Sequence, residues 1–144
     1  SSEVGDSQWR EMLESHDRIA RDSILAHGGR VVKSTGDGLL AIFDLPSQAV
    51  TCATQLIESL SGIGITIRAG AHAGEIEVRD DGDITGIAVN LASRVEHEAG
   101  AGHLWVTSTV RDMMLGGEVG FADQGERRLK GIDGSWRLYS VEGS

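Results

Sequence analysis

Hydrophobic residues recur at three- and four-residue steps in several parts of the chain, which predicts amphipathic helices. The first such stripe predicts a helix over residues 7–27, ended by the Gly28-Gly29 pair. His16 falls on this stripe, so we expect it to lie in the core. The same periodicity, together with Pro46 as a first-turn residue, predicts three further helices, at residues 46–60, 85–98 and 108–115.

Short apolar runs, in part alternating with polar residues, predict the strands. The first two, at residues 30–35 and 39–43, flank Gly36-Asp37-Gly38. A short connection of Gly and Asp between two such runs is typical of a β-hairpin. Later strands are predicted at residues 65–71, 75–79, 104–106, 119–123, 126–129 and 135–141.

The resulting element order, αββαββαβαβββ, predicts an α+β domain with a mixed or antiparallel sheet flanked by helices. Its opening αββαβ run corresponds to a ferredoxin-like βαββαβ unit that lacks its first strand. The length of 144 residues fits one domain, which we expect to cover residues 1–144. We also expect this domain to be truncated at its N-terminus by that one strand.

Composition and charge narrow the class of function. The chain is 40% hydrophobic and 24% charged, which is typical of a folded domain. Thirteen Lys and Arg against 22 Asp and Glu give a net charge of −9, so nucleic-acid binding is not expected. The longest apolar run, residues 39–43, is too short to insert into a membrane. Cys52 is the sole cysteine, which excludes a disulfide framework and favours a reducing cytoplasm.

The predicted hairpin carries the first candidate residues. Asp37 lies at the tip of a glycine-flanked turn, where a carboxylate can approach a metal ion without obstruction from its own backbone. An ordinary hairpin turn explains the same residues, because Asp-Gly is favoured there. Lys33 lies on the strand that leads into the turn, where a lysine usually faces solvent.

Two later segments carry further candidates. Asn90 and Arg94 stand four residues apart in a predicted helix, so they lie on one flank of its apolar stripe. They suit a clamp for a sugar and a phosphate, and equally a hydrogen bond on the helix surface. The segment 127–131, which contains Lys130, carries the densest positive charge in the chain. It is a candidate binding site, and a solvated loop is the alternative interpretation. The five histidines show no spacing typical of metal ligands.

Together these segments resemble the catalytic domain of the class III nucleotide cyclases, most closely the compact bacterial adenylate cyclase type. The motifs are VKSTGDG at residues 32–38, DITGIAVNLASR at residues 83–94 and LKG at residues 129–131. The resemblance runs from about Trp9 to Val141. Three ordered motifs at family-like separations are far more specific than any one of them.

The resemblance implies a role for each candidate side chain. Lys33 would donate to a ring nitrogen of adenine, and Asp83 would accept a hydrogen bond from the exocyclic amine. Asn90 would orient the ribose. Arg94 would stabilise the charge that grows on the α-phosphate, and Lys130 would hold the terminal phosphates.

It also implies a reaction and its cofactors. The 3′-hydroxyl of ATP would attack the α-phosphate in line, giving 3′,5′-cyclic AMP and pyrophosphate with two divalent cations, Mg²⁺ or Mn²⁺. Asp37 corresponds to the second of two metal-binding aspartates, and the first would lie on the opening strand that this chain is expected to lack. Glu75 stands where some relatives have a phosphate-binding arginine.

In this family the site forms between two domains, so the resemblance implies a head-to-tail homodimer with two equivalent sites. Regulatory domains in a longer protein, and attachment of that protein to a membrane, are compatible with it. One alternative is a cyclase homology module that binds nucleotide and dimerises without turnover, which the missing aspartate favours. Another is a guanylate cyclase, which Lys33 and Asp83 oppose. A diguanylate cyclase shares the core, but its Gly-Gly-(Asp/Glu)-Glu-Phe turn is not found in the sequence.

Overall fold

The computed structural model describes residues 2–35 and 38–142. Its elements follow the predicted order except that a third short strand stands between the second and third helices, and two strands instead of three follow the last helix. In order they are α1 (Ser2–Ala26), β1 (Arg30–Thr35), β2 (Gly38–Ile42), α2 (Pro46–Ser61), β3 (Ala69–Ala71), β4 (Glu77–Val78), β5 (Ile84–Thr85), α3 (Ile87–Glu98), β6 (Leu104–Thr107), α4 (Ser108–Met113), β7 (Phe121–Arg128) and β8 (Ser135–Val141).

The strands of the described residues form three sheets. The largest has the order β3-β6-β8-β7, in which β3 runs parallel to β6 and the other pairs are antiparallel. The hairpin β1–β2 and the short hairpin β4–β5 form the other two. Helices flank this mixed arrangement, so the predicted α+β class is confirmed. Within the same residues, no helix combines the length and the apolar character needed to cross a membrane.

Several predicted boundaries are wrong: the first helix begins at Ser2 instead of residue 7, and the strand predicted at 75–79 is only Glu77–Val78. Three further differences have identifiable reasons. The strands predicted at 119–123 and 126–129 are one strand, β7, because Gly125 adopts φ +86° and absorbs a register shift within it. The helix predicted from residue 85 begins at Ile87, because Ile84–Thr85 pair with β4 as strand β5. The strand predicted over residues 65–71 pairs with β6 only at Ala69–Ala71.

Two clusters of buried side chains hold the elements together. The first joins α2, β6, α4 and β8 through Val50, Ile57, Leu104, Val106, Val110 and Val141. The second joins α3 to β8 and to the turn after β7 through Leu91, Val95, Leu129 and Leu138. Helix α3 also lies directly on β3, since a side chain at Gly70 would collide with the backbone of Glu96. The second cluster and this contact together fix the position of α3.

A cavity of about 800 Å³ lies between β2 and β3. Leu39 and Leu40 of β2 line one side of it, and residues 67–70 line the other, with α1 and α2 completing the wall. Neither β2 nor β3 pairs with another described strand on the side that faces this cavity. The hairpin β1–β2 is thereby separated from the four-stranded sheet.

Helix α1 packs against the rest of the chain only along its second half. Ala20 and Ile24 are buried, whereas Trp9 on the same stripe is 60% exposed. The first half of the stripe lines the cavity instead of meeting packed side chains. The expectation that His16 lies in the core is therefore wrong: His16 is half-buried on the cavity wall.

Candidate active site

The structure brings Lys33 and Asp83, fifty residues apart in the sequence, into direct contact. Lys33 Nζ donates to the carboxylate of Asp83, at 3.0 Å from Oδ1 and 3.3 Å from Oδ2. Lys33 lies on β1 opposite Leu40 of β2, just after a register irregularity in the hairpin. Nearby on the same strand, the guanidinium of Arg30 donates to the carbonyl oxygen of Gly82. Strand β1 is thus joined at two points to the turn that carries Asp83.

The turn between β4 and β5 holds the Asp83 carboxylate in place. Gly82 adopts φ +87°, a left-handed conformation that glycine accepts readily, and its N–H donates to the Arg79 carbonyl at 2.9 Å. The N–H of Ile84 donates to Asp83 Oδ1 at 2.8 Å. One carboxylate oxygen is therefore fixed by the backbone while the group as a whole faces Lys33.

The same contacts lower the pKa of Asp83 below its ordinary value. The hydrogen bond from Lys33 is the main cause, followed by the backbone N–H of Ile84. The carboxyl group is consequently ionised throughout the neutral range and acts only as an acceptor. The site offers one donor group and one acceptor group side by side.

Asn90 and Arg94 lie on α3, where Leu91 and Val95 of the same helix are buried in the second cluster. Asn90 is exposed and lines the same cavity as Lys33. Arg94 is half-buried and makes no hydrogen bond or ion pair with any residue in the described ranges. The alternative of a hydrogen bond between Asn90 and Arg94 on the helix surface is not realised in this structure. Both side chains remain available for a ligand.

Lys130 stands at the tip of a turn whose base is buried. Leu129 packs into the second cluster beside Leu91 and Val95, so the turn is fixed next to α3. The N–H of Ile132 donates to the Leu129 carbonyl at 3.0 Å, and Gly131 supplies the positive φ of +79° that this turn needs. Lys130 itself is exposed and, like Arg94, pairs with no carboxylate of the described chain.

The rest of the basic segment at residues 127–131 has a different task. Arg127 lies over the ring of Trp105, at 5.0 Å from its centroid, and pairs with Glu98 at 3.2 Å. This arginine braces β7 against β6 and α3. The high charge density seen in the sequence therefore overstates the charge free to bind a ligand.

Asp37, the predicted metal ligand, lies outside the described residues. Among residues 2–35 and 38–142 there is no group of three or more His, Cys, Asp or Glu side chains that could hold a metal ion. The described part of the chain thus brings together the predicted base-reading pair, and holds the two phosphate-binding candidates on α3 and on the turn packed against it. The direct ion pair between Lys33 and Asp83 has no local sequence signal and was missed by the sequence analysis.

Known proteins and a protein family are similar to this chain over the region that contains all the candidate residues. The profile of the family described as adenylate and guanylate cyclase catalytic domain matches residues 2–143. "Putative adenylate cyclase 3" of Rhizobium meliloti is 32% identical over 136 residues, which are 88% of this chain and 22% of that protein. The serine/threonine-protein kinase pkn2 of Myxococcus xanthus is 29% identical over 139 residues, which are 91% of this chain and 17% of that protein.

A solved structure agrees with the fold. The adenylate/guanylate cyclase/hydrolase from Silicibacter pomeroyi is 28% identical, and the match covers 98% of this chain and 89% of that chain with a TM-score of 0.85. The two relatives from Rhizobium meliloti and Myxococcus xanthus are much longer than this chain, which spans only about a fifth of their length. The likeness concerns one domain of those proteins.

Proposed function

The chain belongs to the family of adenylate and guanylate cyclase catalytic domains, and on that premise we propose that it is an adenylate cyclase acting on ATP. The contact between Lys33 and Asp83 carries the choice of base. A lysine donor beside a carboxylate acceptor complements a ring nitrogen and the exocyclic amine of adenine. Guanine presents the opposite pattern at these positions, so GTP would set a donor against Lys33 and an acceptor against Asp83.

In the proposed reaction the ribose 3′-hydroxyl attacks the α-phosphate in line, and pyrophosphate leaves. Asn90 hydrogen-bonds the ribose and sets the direction of attack. Arg94 neutralises charge that develops on the α-phosphate, and Lys130 holds the terminal phosphates. Phosphoryl transfer needs mainly positioning and charge neutralisation, so no protein nucleophile is required. The lack of a carboxylate partner for Arg94 and Lys130 in the described residues supports these roles.

We assign Asp37 as a ligand of two divalent cations, Mg²⁺ or Mn²⁺. Residues 2–35 and 38–142 contain no group of three or more possible metal ligands, and by the resemblance a second aspartate on the preceding strand would complete the site. When bound, the ions would supply charge neutralisation to the attacking and leaving oxygens.

A head-to-tail homodimer is the proposed active form. One copy would contribute Asp37. The other would contribute Lys33 and Asp83, together with the phosphate-binding side chains of Arg94 and Lys130. Exposed apolar side chains beside the site support this: Val78 of β4 is 62% exposed and Ile87, at the start of α3, is 61% exposed. Apolar side chains this exposed on the edge of a polar site are typical of a surface that another protein covers.

We also propose that a preceding strand in a longer form of the protein fills the cavity between β2 and β3. Both strands present an unpaired edge to this cavity, and its walls are largely apolar. An inserted strand would pair with both edges and join the hairpin to the four-stranded sheet. It would also cover the exposed stripe of α1 around Trp9. The great length of the curated relatives leaves room for such a segment and for regulatory domains.

The test uses the proposed longer form of the protein, which includes the preceding strand. Purified protein is incubated with ATP or GTP and with Mg²⁺ or Mn²⁺, and cyclic nucleotides are measured by chromatography. We expect cyclic AMP in excess over cyclic GMP. Cyclic GMP as the main product would establish the guanylate cyclase alternative. Binding of a non-reactive ATP analogue without any product would establish the nucleotide-binding module.

Mixing two inactive variants tests the shared site. Asp37→Ala removes the metal-binding side and Arg94→Ala removes the opposite side, so each homodimer is nearly inactive. With free exchange of subunits, half of the dimers are mixed and each has one intact site of two, so about a quarter of the native activity returns. No recovery, despite measured exchange, would contradict the homodimeric site.

A further inference from the structure

His72 makes a partly buried hydrogen bond that the proposed reaction does not use. It follows directly after β3, and its Nδ1 lies 2.7 Å from Oγ1 of Thr107 at the end of β6. Thr107 is fully buried, and His72 is the one described residue to which its hydroxyl is bonded. Burial lowers the pKa of His72, so its ring is neutral at neutral pH.

One face of the ring contacts the support of the Lys130 turn. His72 meets Trp136 edge to face, with ring centroids 6.1 Å apart and planes at 85°. Trp136 packs on the cluster that contains Leu129 and the buried side chains of α3. Its indole N–H also donates to the carbonyl of Asp133, which closes the far end of the same turn.

The ring also borders Gly74, which lies beside the beginning of α3. A Cβ atom at Gly74 would lie 3.2 Å from Nε2 of His72 and 3.3 Å from Cβ of Ala88. Position 74 is therefore close to both the His72 ring and the first turn of α3, and an added methyl group there would press on both.

We propose that His72 is a positioning residue, which sets the distance between α3 and the turn that carries Lys130. Through its hydrogen bond to Thr107 the ring is fixed to β6, and from there it supports both elements. Arg94 and Lys130 must grip different phosphates of one substrate, so their spacing controls the reaction. Misplacement by about 1 Å of a group that orients substrate lowers turnover on the order of a hundredfold. The inference rests on the proposed function for its effect on turnover.

A pair of substitutions at Thr107 separates positioning from stability. Thr107→Val keeps the shape but removes the hydroxyl, whereas Thr107→Ser keeps the hydroxyl but removes a methyl group. In the longer protein we expect both to lower the melting temperature, but only Thr107→Val to lower kcat, by about tenfold or more. Equal losses of kcat in the two variants, in step with stability, would overturn the proposal.

His72 itself provides a rescue experiment. His72→Asn places an amide where it still reaches the Thr107 hydroxyl, and we expect it to keep most of the turnover. His72→Leu fills similar space without a hydrogen-bonding group and should resemble Thr107→Val. If His72→Asn loses as much turnover as His72→Leu while both stay folded, the hydrogen bond has no positioning role.

A measurement without substrate distinguishes failure of this inference from failure of the proposed function. The backbone amide signals of Arg94 and Lys130 are recorded by NMR in the unliganded protein. We expect Thr107→Val to shift both signals and Thr107→Ser to shift neither. Shifts in a protein without cyclase activity would retain the positioning role and reject the function. Unchanged signals in an active Thr107→Val variant would reject the positioning role alone.

Discussion

Replacing Lys33 by methionine removes the charge and the donor but keeps the length of the side chain. The cost in folding is small, because the Lys33 side chain is 47% exposed and that of Asp83 is 33% exposed. Ion pairs this exposed contribute little to folding, so we expect the melting temperature to fall by at most about 2–4 °C in a domain of this size. Stability alone therefore leaves turnover almost unchanged.

The cost in recognition of ATP is larger. A hydrogen bond from a charged donor to the base is worth about 1.5–3 kcal/mol, which corresponds to about a 10- to 150-fold loss of kcat/KM. The assay measures cyclic AMP formed from limiting ATP and cyclic GMP formed from limiting GTP. We expect Lys33→Met to lower the first selectively, because the lost donor faces a group that only adenine presents.

Arg137→Met is the matched control. Arg137 forms an ion pair with Asp123 at 2.8 Å, and the two side chains are exposed to a similar degree, 42% and 52%. This pair joins β7 to β8 and has no role in the proposed site. If Lys33→Met kept kcat/KM for ATP within about threefold, or if Arg137→Met lost as much, the assignment of Lys33 to the base would be refuted.

Three further predictions concern Arg94, Gly70 and Asp83. Arg94→Ala should lower kcat by about 10² to 10³ with little change in KM or melting temperature, because its charge acts as the transition state forms; early melting with normal specific activity would favour a structural role. Gly70→Ala should destabilise the fold by about 1–3 kcal/mol in urea denaturation, since its methyl group meets the backbone of Glu96; an unchanged midpoint would contradict that contact. In NMR titration the Asp83 carboxyl should ionise below its ordinary pKa and return towards it in Lys33→Met. The stability that this pair adds is therefore present at neutral pH and lost as the pH falls through the lowered pKa. If the Asp83 pKa in Lys33→Met stayed as low as in the unsubstituted protein, Lys33 would not be the cause of the lowered pKa.

Local patterns were sufficient to predict most elements. The apolar stripes of the helices and the glycine-flanked turn of the hairpin are formed by residues close together in the sequence. Each element could therefore be identified without its neighbours in space. Strand β1 was predicted at the residues where it is found, and helix α2 ends within one residue of its prediction. The order of elements then led to the fold class, because few architectures accommodate that order.

Contacts between distant parts of the chain could not be predicted in this way. The hydrogen bond from His72 to Thr107 joins the ends of two strands, and in the sequence His72 is only one of five histidines. In the sequence, Gly125 indicated the end of a strand, because glycine is common both at strand ends and at bulges; in the structure it lies in a register shift within β7. His16 fell on a correct helical stripe, but whether that stripe is covered depends on what occupies the cavity beside it.

The acidic character of the chain and the proposed binding of a triphosphate are reconciled by the distribution of ion pairs. With a net charge of −9, the protein as a whole repels a polyanion, so long-range attraction does not draw the substrate in. Arg68, Arg127 and Arg137 are each engaged by a carboxylate of the protein. Arg94 and Lys130, in contrast, have no such partner in the described residues, and the burial of Leu129 against α3 fixes them on adjoining elements. On the proposed function we therefore expect the affinity for a triphosphate to arise from short-range contacts between its phosphates and these two cations.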